Sequence, residues 1–270
     1  MAVAMRRPDK EIEIHQESLS PIYSSRWARI PFLRGLVLLW DALSLGTRVL
    51  TISANLQGED QEEQLEGAAL TLTILASLAA SVLLFFVAPA GISQWLENLL
   101  TVGPGWGNIL EGIIRLSILI GYLLLIGRME DIQRVFGYHG AEHKTINAFE
   151  AGAELKPEVV EKFPIEHPRC GTAFLLTVVV LSIVIFTLIG PMPILQRIAL
   201  RILLVPFLAS IAYEYLRWTA RNLDSRIVQM LIIPNLALQR LTTRPPDRKM
   251  LEVSIAAFNA MRSEEELLTT

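Results

Sequence analysis

The sequence has few charged residues and only one cysteine. Of its 270 residues, 19% are charged and 52% are hydrophobic, and the mean hydropathy is +0.43. Because the single cysteine, Cys170, cannot form an internal disulfide, a disulfide scaffold is excluded and no oxidising compartment is required. The net charge of -3 excludes the strongly basic balance that is typical of nucleic-acid-binding domains, so no nucleic-acid partner is expected.

Long apolar runs indicate that the chain crosses a membrane as helices. A hydrocarbon core about 30 Å thick requires about 20 apolar residues in helical form. Four stretches meet or approach this requirement: 67–88, 109–126, 172–189 and 199–215. The sequence therefore predicts an all-α polytopic membrane protein with about four transmembrane helices, whose environment is the lipid bilayer.

Two further helices are predicted to be amphipathic. Residues 31–56 are apolar, but Arg34, Asp41 and Arg48 recur every seven positions and form one polar stripe on a helix. The stripe favours an interfacial helix or a helix lying against the bundle, and a fifth full span is the alternative. Residues 223–240 resemble this stretch, and we expect a second interfacial or re-entrant helix there.

The two ends of the chain are predicted to lie outside the membrane. Within the N-terminal region 1–30, residues 3–5 and 12–14 alternate apolar and polar side chains around residues 8–10, which predicts a small β-hairpin. The membrane domain is predicted to span 31–240, including a polar loop at 127–171. Residues 241–270 have apolar positions at helical spacing, which predicts a C-terminal helix.

The distribution of Lys and Arg predicts the orientation in the membrane. The connecting segment 89–108 contains neither residue, and 190–198 contains only Arg197, whereas 127–171 contains six. Loops rich in Lys and Arg stay in the cytoplasm. We therefore expect a multi-pass protein of the inner (plasma) membrane, with both termini and the 127–171 loop in the cytoplasm.

Side chains that can bind a metal are concentrated in the 127–171 loop. It contains three of the four histidines and the only cysteine. His139 and His143 are four positions apart, so one helical turn brings both imidazoles to one face, where they can chelate one ion. Glu142 completes the order His-x-x-Glu-His, the inverted form of the zinc-protease helix motif. The pattern predicts two metal ligands, with Glu142 as the catalytic base.

Additional ligands are predicted around this helix. His167 and Cys170 are three residues apart in a turn, so both can reach one ion. Imidazole and thiolate suit zinc or iron, and a carboxylate can complete a mixed site. Glu150 and Glu214 are the candidate carboxylates, and the predicted cofactor is a divalent metal ion, zinc above others. Alternatively, these side chains only hydrogen-bond the loop and cap the following span.

Ionisable residues inside the spans have simpler alternatives. Glu111 and Arg115 are four positions apart on one helix and are predicted to pair with each other. Glu214 lies near the end of the fourth span, on the side of the histidine cluster. It could be a ligand, a residue that orients an imidazole, or the partner of Arg217.

The residues of the loop also resemble a known family. The sequence is similar to the YqhQ-type family of bacterial membrane proteins, catalogued as domain of unknown function 1385. The matching blocks cover nearly the whole chain and are IPFLRGL (30–36), YHGAEHKT (138–145), FEAG (149–152), HPRCGT (167–172) and LTTR (241–244). The resemblance implies a metal-dependent enzyme, but it does not indicate a substrate. One departure is that the Gly-rich block that usually precedes the stretch matched by residues 2–8 is not in this sequence.

Three classes of function are compatible with these patterns. The first is a metal-dependent hydrolase at the cytoplasmic membrane face, acting on a membrane-associated peptide, lipid or lipid-linked compound. The second is a non-catalytic membrane scaffold or assembly factor, in which the cluster only orders the loop. A transporter is third, because the spans show no internal repeat and few charges. A homo-oligomer is left open. An exposed, unligated Glu142 beside an open coordination position favours the enzyme.

Overall fold

The computed structural model describes residues 2–7, 11–17, 25–57, 67–100 and 106–269. Helices account for most of the chain, and a two-stranded hairpin lies at the N-terminus. The elements are β1 (Ala2–Arg6), β2 (Ile12–Gln16), α1 (Leu33–Gln57), α2 (Gly67–Val82), α3 (Ala88–Leu100), α4 (Gly107–Ile126), α5 (Glu130–Glu150), α6 (Pro157–Val160), α7 (Thr172–Ile189), α8 (Ile194–Arg221), α9 (Arg226–Thr242) and α10 (Arg248–Thr269).

Within the described ranges, five helical segments are long and apolar enough to cross a membrane. They are Leu33–Ser53, Ala68–Leu100, Gly107–Ile126, Thr172–Ile189 and Ile194–Arg221. The prediction of an all-α polytopic membrane protein is confirmed. Four of these segments correspond to the four predicted spans. The fifth belongs to α1, for which the sequence left an interfacial and a spanning placement open. Its length and composition would permit a span, and the choice between the two placements stays a prediction.

The C-terminal helix packs against α5 of the polar loop, and the hairpin packs against the C-terminal helix. β1 and β2 pair antiparallel, with Ala2 opposite Gln16, which confirms the predicted hairpin; its predicted turn at 8–10 lies outside the described residues. Arg6 donates a hydrogen bond to Glu252 of α10 at 2.7 Å. Leu251 of α10 packs with Ala141 of α5 in one apolar core. We call the hairpin, α5, α6 and α10 together the cap.

The helix α9 lies beside the bundle. Leu238 is buried in a core shared with Leu123 of α4 and Leu176 of α7, whereas Ile227 and Met230 are exposed. At 17 residues, α9 is shorter than the spans, and one of its faces is apolar and uncovered. The interfacial or re-entrant placement of this helix stays a prediction.

One proline connects the second membrane segment to a buried arginine. Residues 89–100, which were expected to be part of a connecting segment, are helical and continue α2 through a π-helical turn at Leu83–Val87. Pro89 has no N–H group, so the carbonyl of Phe85, four residues earlier, lacks the donor that an α-helix would supply. Arg115 of α4 donates to that carbonyl through Nε at 2.9 Å. The backbone irregularity thereby binds α3 to α4.

A buried charge network holds α4 and α8 together near the end of α7. Glu111 and Arg115 pair at 2.7 Å, which confirms the prediction. Arg201 of α8 also contacts Glu111 and donates to the side-chain oxygen of Asn108 at 2.9 Å. Glu111 is only 1% exposed. Inside a membrane such charges are tolerated when they are paired with one another.

We expect the Glu111→Leu substitution to destabilise the bundle strongly. It would leave the guanidinium groups of Arg115 and Arg201 buried without their carboxylate, which typically costs about 3–5 kcal/mol. The measurement is the denaturation midpoint of the purified protein in detergent. The control is Glu154→Gln, which removes an exposed pair with Lys156 and should leave the midpoint unchanged. Equal midpoints for the two variants would contradict the structural role of the network.

Candidate functional site

Three predicted ligands converge where α5 meets the start of α7. The rings of His139 and His143 are 4.4 Å apart between centroids, on one face of α5. Cys170 lies in the turn before α7, with its Sγ atom 3.2 Å from Nε2 of His139. One potential ligand atom of each residue lies within 4.8 Å of the other two. We call these three residues the His/Cys group.

Backbone carbonyl groups fix both imidazoles in the tautomer that a metal ligand needs. Nδ1 of His139 lies 2.8 Å from the carbonyl oxygen of Thr242, and Nδ1 of His143 lies 2.6 Å from that of Ile165. Since a carbonyl oxygen only accepts, each Nδ1 carries the hydrogen and donates it. In a neutral imidazole this places the lone pair on Nε2, the ring nitrogen that would then bind a metal ion. The donor set therefore fits a metal ion.

Cys170 favours its thiolate form. Burial raises the pKa of the thiol, but hydrogen bonds from His139, His143 and Thr172 outweigh burial and lower the pKa to about 5. The backbone N–H of Thr172 donates to the sulfur at 3.4 Å. Burial lowers the pKa of His139, but its contacts with Cys170 and with the Thr242 carbonyl raise it to a net increase. The thiolate is the form of cysteine that binds metals.

The segment after α9 positions the group by crossing α5 at a glycine. A Cβ atom on Gly140 would lie 2.1 Å from the carbonyl oxygen of Arg244, so only glycine permits this crossing. The crossing brings the Thr242 carbonyl to His139. Nearby, Gln239 is completely buried, and its amide accepts from the N–H of His167 at 3.0 Å and donates to its carbonyl at 2.9 Å.

Two other predicted ligands lie beside the group and bond to each other. Nε2 of His167 is 3.4 Å from Oε2 of Glu150, and its Nδ1 accepts from the N–H of Arg169 at 3.3 Å. Both nitrogens are therefore engaged, and burial above all lowers the pKa of His167. Glu150 also pairs with Arg169 at 3.0 Å. It is seven residues after His143, about 10 Å along the helix axis, which explains why it does not join the group.

Glu214 has a different partner from those predicted. Arg34 of α1 donates to Oε1 of Glu214 at 2.6 Å and also contacts Oε2. The N–H of Phe32 donates to Oε1 at 3.0 Å. The carboxylate thus binds α1 to α8, and the structure does not support its predicted role as a metal ligand. The reason is tertiary, because the packing of α1 on α8 brings an arginine from the polar stripe to Glu214.

Glu142 lies beside the His/Cys group and faces a cleft. It is exposed and lines a cleft of about 580 Å³ together with the His/Cys group and His167. Among the described residues, none forms a hydrogen bond or an ion pair with its carboxylate. Within the part of the chain that the structure describes, the carboxylate of Glu142 therefore stands unpaired beside the half-buried His139 and the buried His143 and Cys170.

Several groups that build the site were not recognised in the sequence. They are the carbonyls of Thr242 and Ile165, the amide of Gln239, and Lys144, which donates to the Glu161 carbonyl at 2.8 Å and holds the loop. Burial lowers the pKa of Lys144. The block LTTR at 241–244 marked the crossing segment, but nothing in its residues showed that a backbone oxygen would be the functional atom.

The thiol of Cys170 provides a test in the metal-free protein. Because the chain has one cysteine, the thiolate absorbance of chelator-treated protein follows this residue alone. We expect half-titration near pH 5, where the pKa is lowered to about 5 from an ordinary 9.0. His139→Ala removes one hydrogen bond to the sulfur and should move the midpoint to higher pH. A wild-type midpoint near 9 would show that the described contacts do not form.

Comparisons with known proteins place the chain in a family without giving an activity. The sequence profile described as "Protein of unknown function (DUF1385)" matches residues 30–264. The chain is 29% identical to "Uncharacterized protein YqhQ" of Bacillus subtilis (strain 168), over 283 residues that cover 98% of this chain and 87% of that protein. No solved structure matches. The enzyme implied by the resemblance is unsupported by these descriptions. Since this profile matches well over half of the chain, the protein belongs to the DUF1385 family.

Proposed function

We propose that this protein is a metal-dependent hydrolase that acts on a membrane-associated substrate at the cytoplasmic membrane face. The observation that carries the proposal is the His/Cys group beside an exposed Glu142. Catalytic zinc sites typically have three protein ligands and one open position, whereas structural sites are closed by four. The arrangement of three convergent donors at the wall of a cleft corresponds to the catalytic type.

The chain's own residues have distinct roles in this proposal. His139, His143 and Cys170 would hold a divalent ion, zinc above others, which when bound lowers the pKa of its water to about 7 and polarises a carbonyl group. Glu142 accepts a proton from the attacking water as the water oxygen bonds to the substrate carbonyl carbon. It then gives that proton to the leaving atom as the scissile bond breaks. His167 and Glu150 line the cleft and hold Arg169 in place.

The orientation of the bundle forms part of the proposal. The His/Cys group lies at the end where α4 finishes and α7 begins, and the loop there carries six Lys and Arg residues. At the opposite end, Arg197 is buried and pairs with Glu97 at 3.1 Å. The positive-inside rule then puts the cap in the cytoplasm. A substrate anchored in the bilayer reaches the site at the start of α7.

A scaffold is the second candidate, because the cluster also immobilises its loop. Gln239 holds the backbone of His167 on both sides, and Lys144 holds the Glu161 carbonyl. In a scaffold, the His/Cys group would only order the cap against the bundle. A transporter is disfavoured, since Glu111 and Glu214 are each paired with arginine.

Substitutions of a ligand and of the base should have different effects. His143→Ala removes one imidazole of the chelating pair, so we expect the purified protein to lose its bound metal. Glu142→Gln is nearly isosteric but cannot accept a proton at neutral pH. It should keep the metal and fail to restore the cellular function. The measurements are metal content by mass spectrometry and complementation of a deletion strain.

Glu154→Gln is the matched control, because it changes an exposed carboxylate of the same loop away from the cleft. It should keep both metal and complementation. If Glu142→Gln empties the site, Glu142 is a ligand or supports one. If Glu142→Gln keeps both metal and complementation, the hydrolase proposal fails and the scaffold replaces it.

The orientation can be tested by labelling in whole cells. Starting from Cys170→Ser, single cysteines are introduced at Asn98 of α3 and at Glu154 of the loop, both of which are exposed. We expect a membrane-impermeant maleimide to label position 98 in intact cells, and position 154 only after permeabilisation. Labelling of position 154 alone in intact cells would reverse the proposed orientation.

A further inference from the structure

A second cleft lies along α5 next to the site. It has a volume of about 590 Å³ and is bounded by β1, α5 and α10. Both clefts are lined by Glu142, Ile146 and Glu150, which are four positions apart and therefore form one stripe of α5. The two clefts meet along this stripe, where the proposed base stands. We call the second cleft the hairpin groove.

The strand β1 presents to this groove backbone groups that bond to no described residue. The N–H of Arg7 donates to the carbonyl of Glu11 at 2.9 Å, which makes residues 7 and 11 a hydrogen-bonded pair. Such pairs alternate along an antiparallel ladder, so Ala2 and Ala4 belong to the other pairs. Their N–H and C=O groups therefore point away from β2. Among the described strands, β2 is the only neighbour of β1, and both alanines line the groove.

The opposite wall of the groove is apolar and aromatic. The rings of Phe149 of α5 and Phe258 of α10 are 4.9 Å apart between centroids, and Phe149 is 40% exposed. Val253 and Ala257 of α10 extend this wall. The groove thus combines a row of backbone donors and acceptors with an apolar surface for side chains.

We propose that the hairpin groove binds an extended polypeptide segment, which adds to the free edge of β1 and leads a peptide bond across Glu142 to the His/Cys group. A peptide backbone supplies the alternating amide donors and acceptors that the edge of β1 requires, whereas an acyl chain supplies none. Alternate side chains of the bound strand face Phe149 and Phe258. This inference rests on the proposed function and names its substrate class.

The reaction on such a substrate is amide hydrolysis. The water oxygen bonds to the carbonyl carbon of the peptide bond, and the bond from that carbon to nitrogen breaks. The proton taken from water by Glu142 goes to the leaving nitrogen, which departs as an amine. No oxidant, reductant or further reactant is needed.

The test is a binding measurement in the Glu142→Gln background, where turnover is blocked. The probe is a fluorescein-labelled short peptide with leucine or phenylalanine at alternate positions, titrated with detergent-solubilised protein and followed by anisotropy. Ala4→Pro removes an outward N–H without removing a hydrogen bond of the β1–β2 ladder. We expect about tenfold weaker binding of the peptide. One hydrogen bond is lost, and the proline ring keeps the peptide strand from pairing closely with the edge of β1.

Ile14→Pro is the matched control. Ile14 is opposite Ala4 and has its N–H on the far edge of the hairpin, so the same substitution there should leave affinity unchanged. A second measurement leaves the protein intact, because methylation of alternate peptide nitrogens in the probe should weaken binding in one register and not in the other.

The inference is overturned if no peptide binds, if Ala4→Pro and Ile14→Pro have equal effects, or if both methylated registers bind alike. It is also overturned if a short-chain phospholipid displaces the probe and the affinity of the phospholipid is unchanged by Ala4→Pro. Binding in this background requires no turnover, so the two proposals fail separately. Loss of peptide binding with intact metal uptake refutes the groove alone, and peptide binding without metal uptake refutes the hydrolase alone.

Discussion

The crossing of residues 241–244 over α5 is the contact on which the site depends. It requires Gly140, because any Cβ atom there would collide with the Arg244 carbonyl. The crossing delivers the Thr242 carbonyl to Nδ1 of His139 and so leaves Nε2 facing Cys170. The chain then continues into α10, which covers the other side of α5 and forms the wall of the hairpin groove. One close backbone approach therefore organises both the His/Cys group and the access to it.

Polar groups in the core of the bundle beneath the cap pair with one another, as a lipid environment favours. The Phe85 carbonyl that Pro89 leaves without an α-helical donor is bonded by Arg115, and Glu111 neutralises Arg115 in turn. These contacts fix α3, α4 and α8 relative to one another, and α4 packs closely on α7. Since α5 follows α4 and Cys170 precedes α7, the rigidity of the bundle determines the separation between the histidines and the sulfur.

Local patterns in the sequence were sufficient for much of this architecture. An apolar run of about 20 residues has the length that a helix needs to cross a membrane. The alternation of apolar and polar residues in 3–5 and 12–14 puts the apolar side chains on one face of a strand. Helical periodicity likewise placed His139 beside His143 and Glu111 beside Arg115. Each of these inferences joins residues that are close along the chain, where the geometry of one element determines the distance.

The partners that come from distant elements were decided only by the tertiary structure. The sequence correctly placed Glu214 near the end of its span. Which of several arginines pairs with it was decided by the packing of α1 on α8, which brings Arg34 to the carboxylate. Glu150 lies on the same face of α5 as His143, but it is about two turns farther along the helix and contacts His167 instead. The carbonyl of Thr242 could not be recognised at all, because every residue has a carbonyl and no side chain marks the one that will accept. Side-chain periodicity determines faces and spans, whereas the backbone acceptors and ion pairs of a site depend on which helices meet.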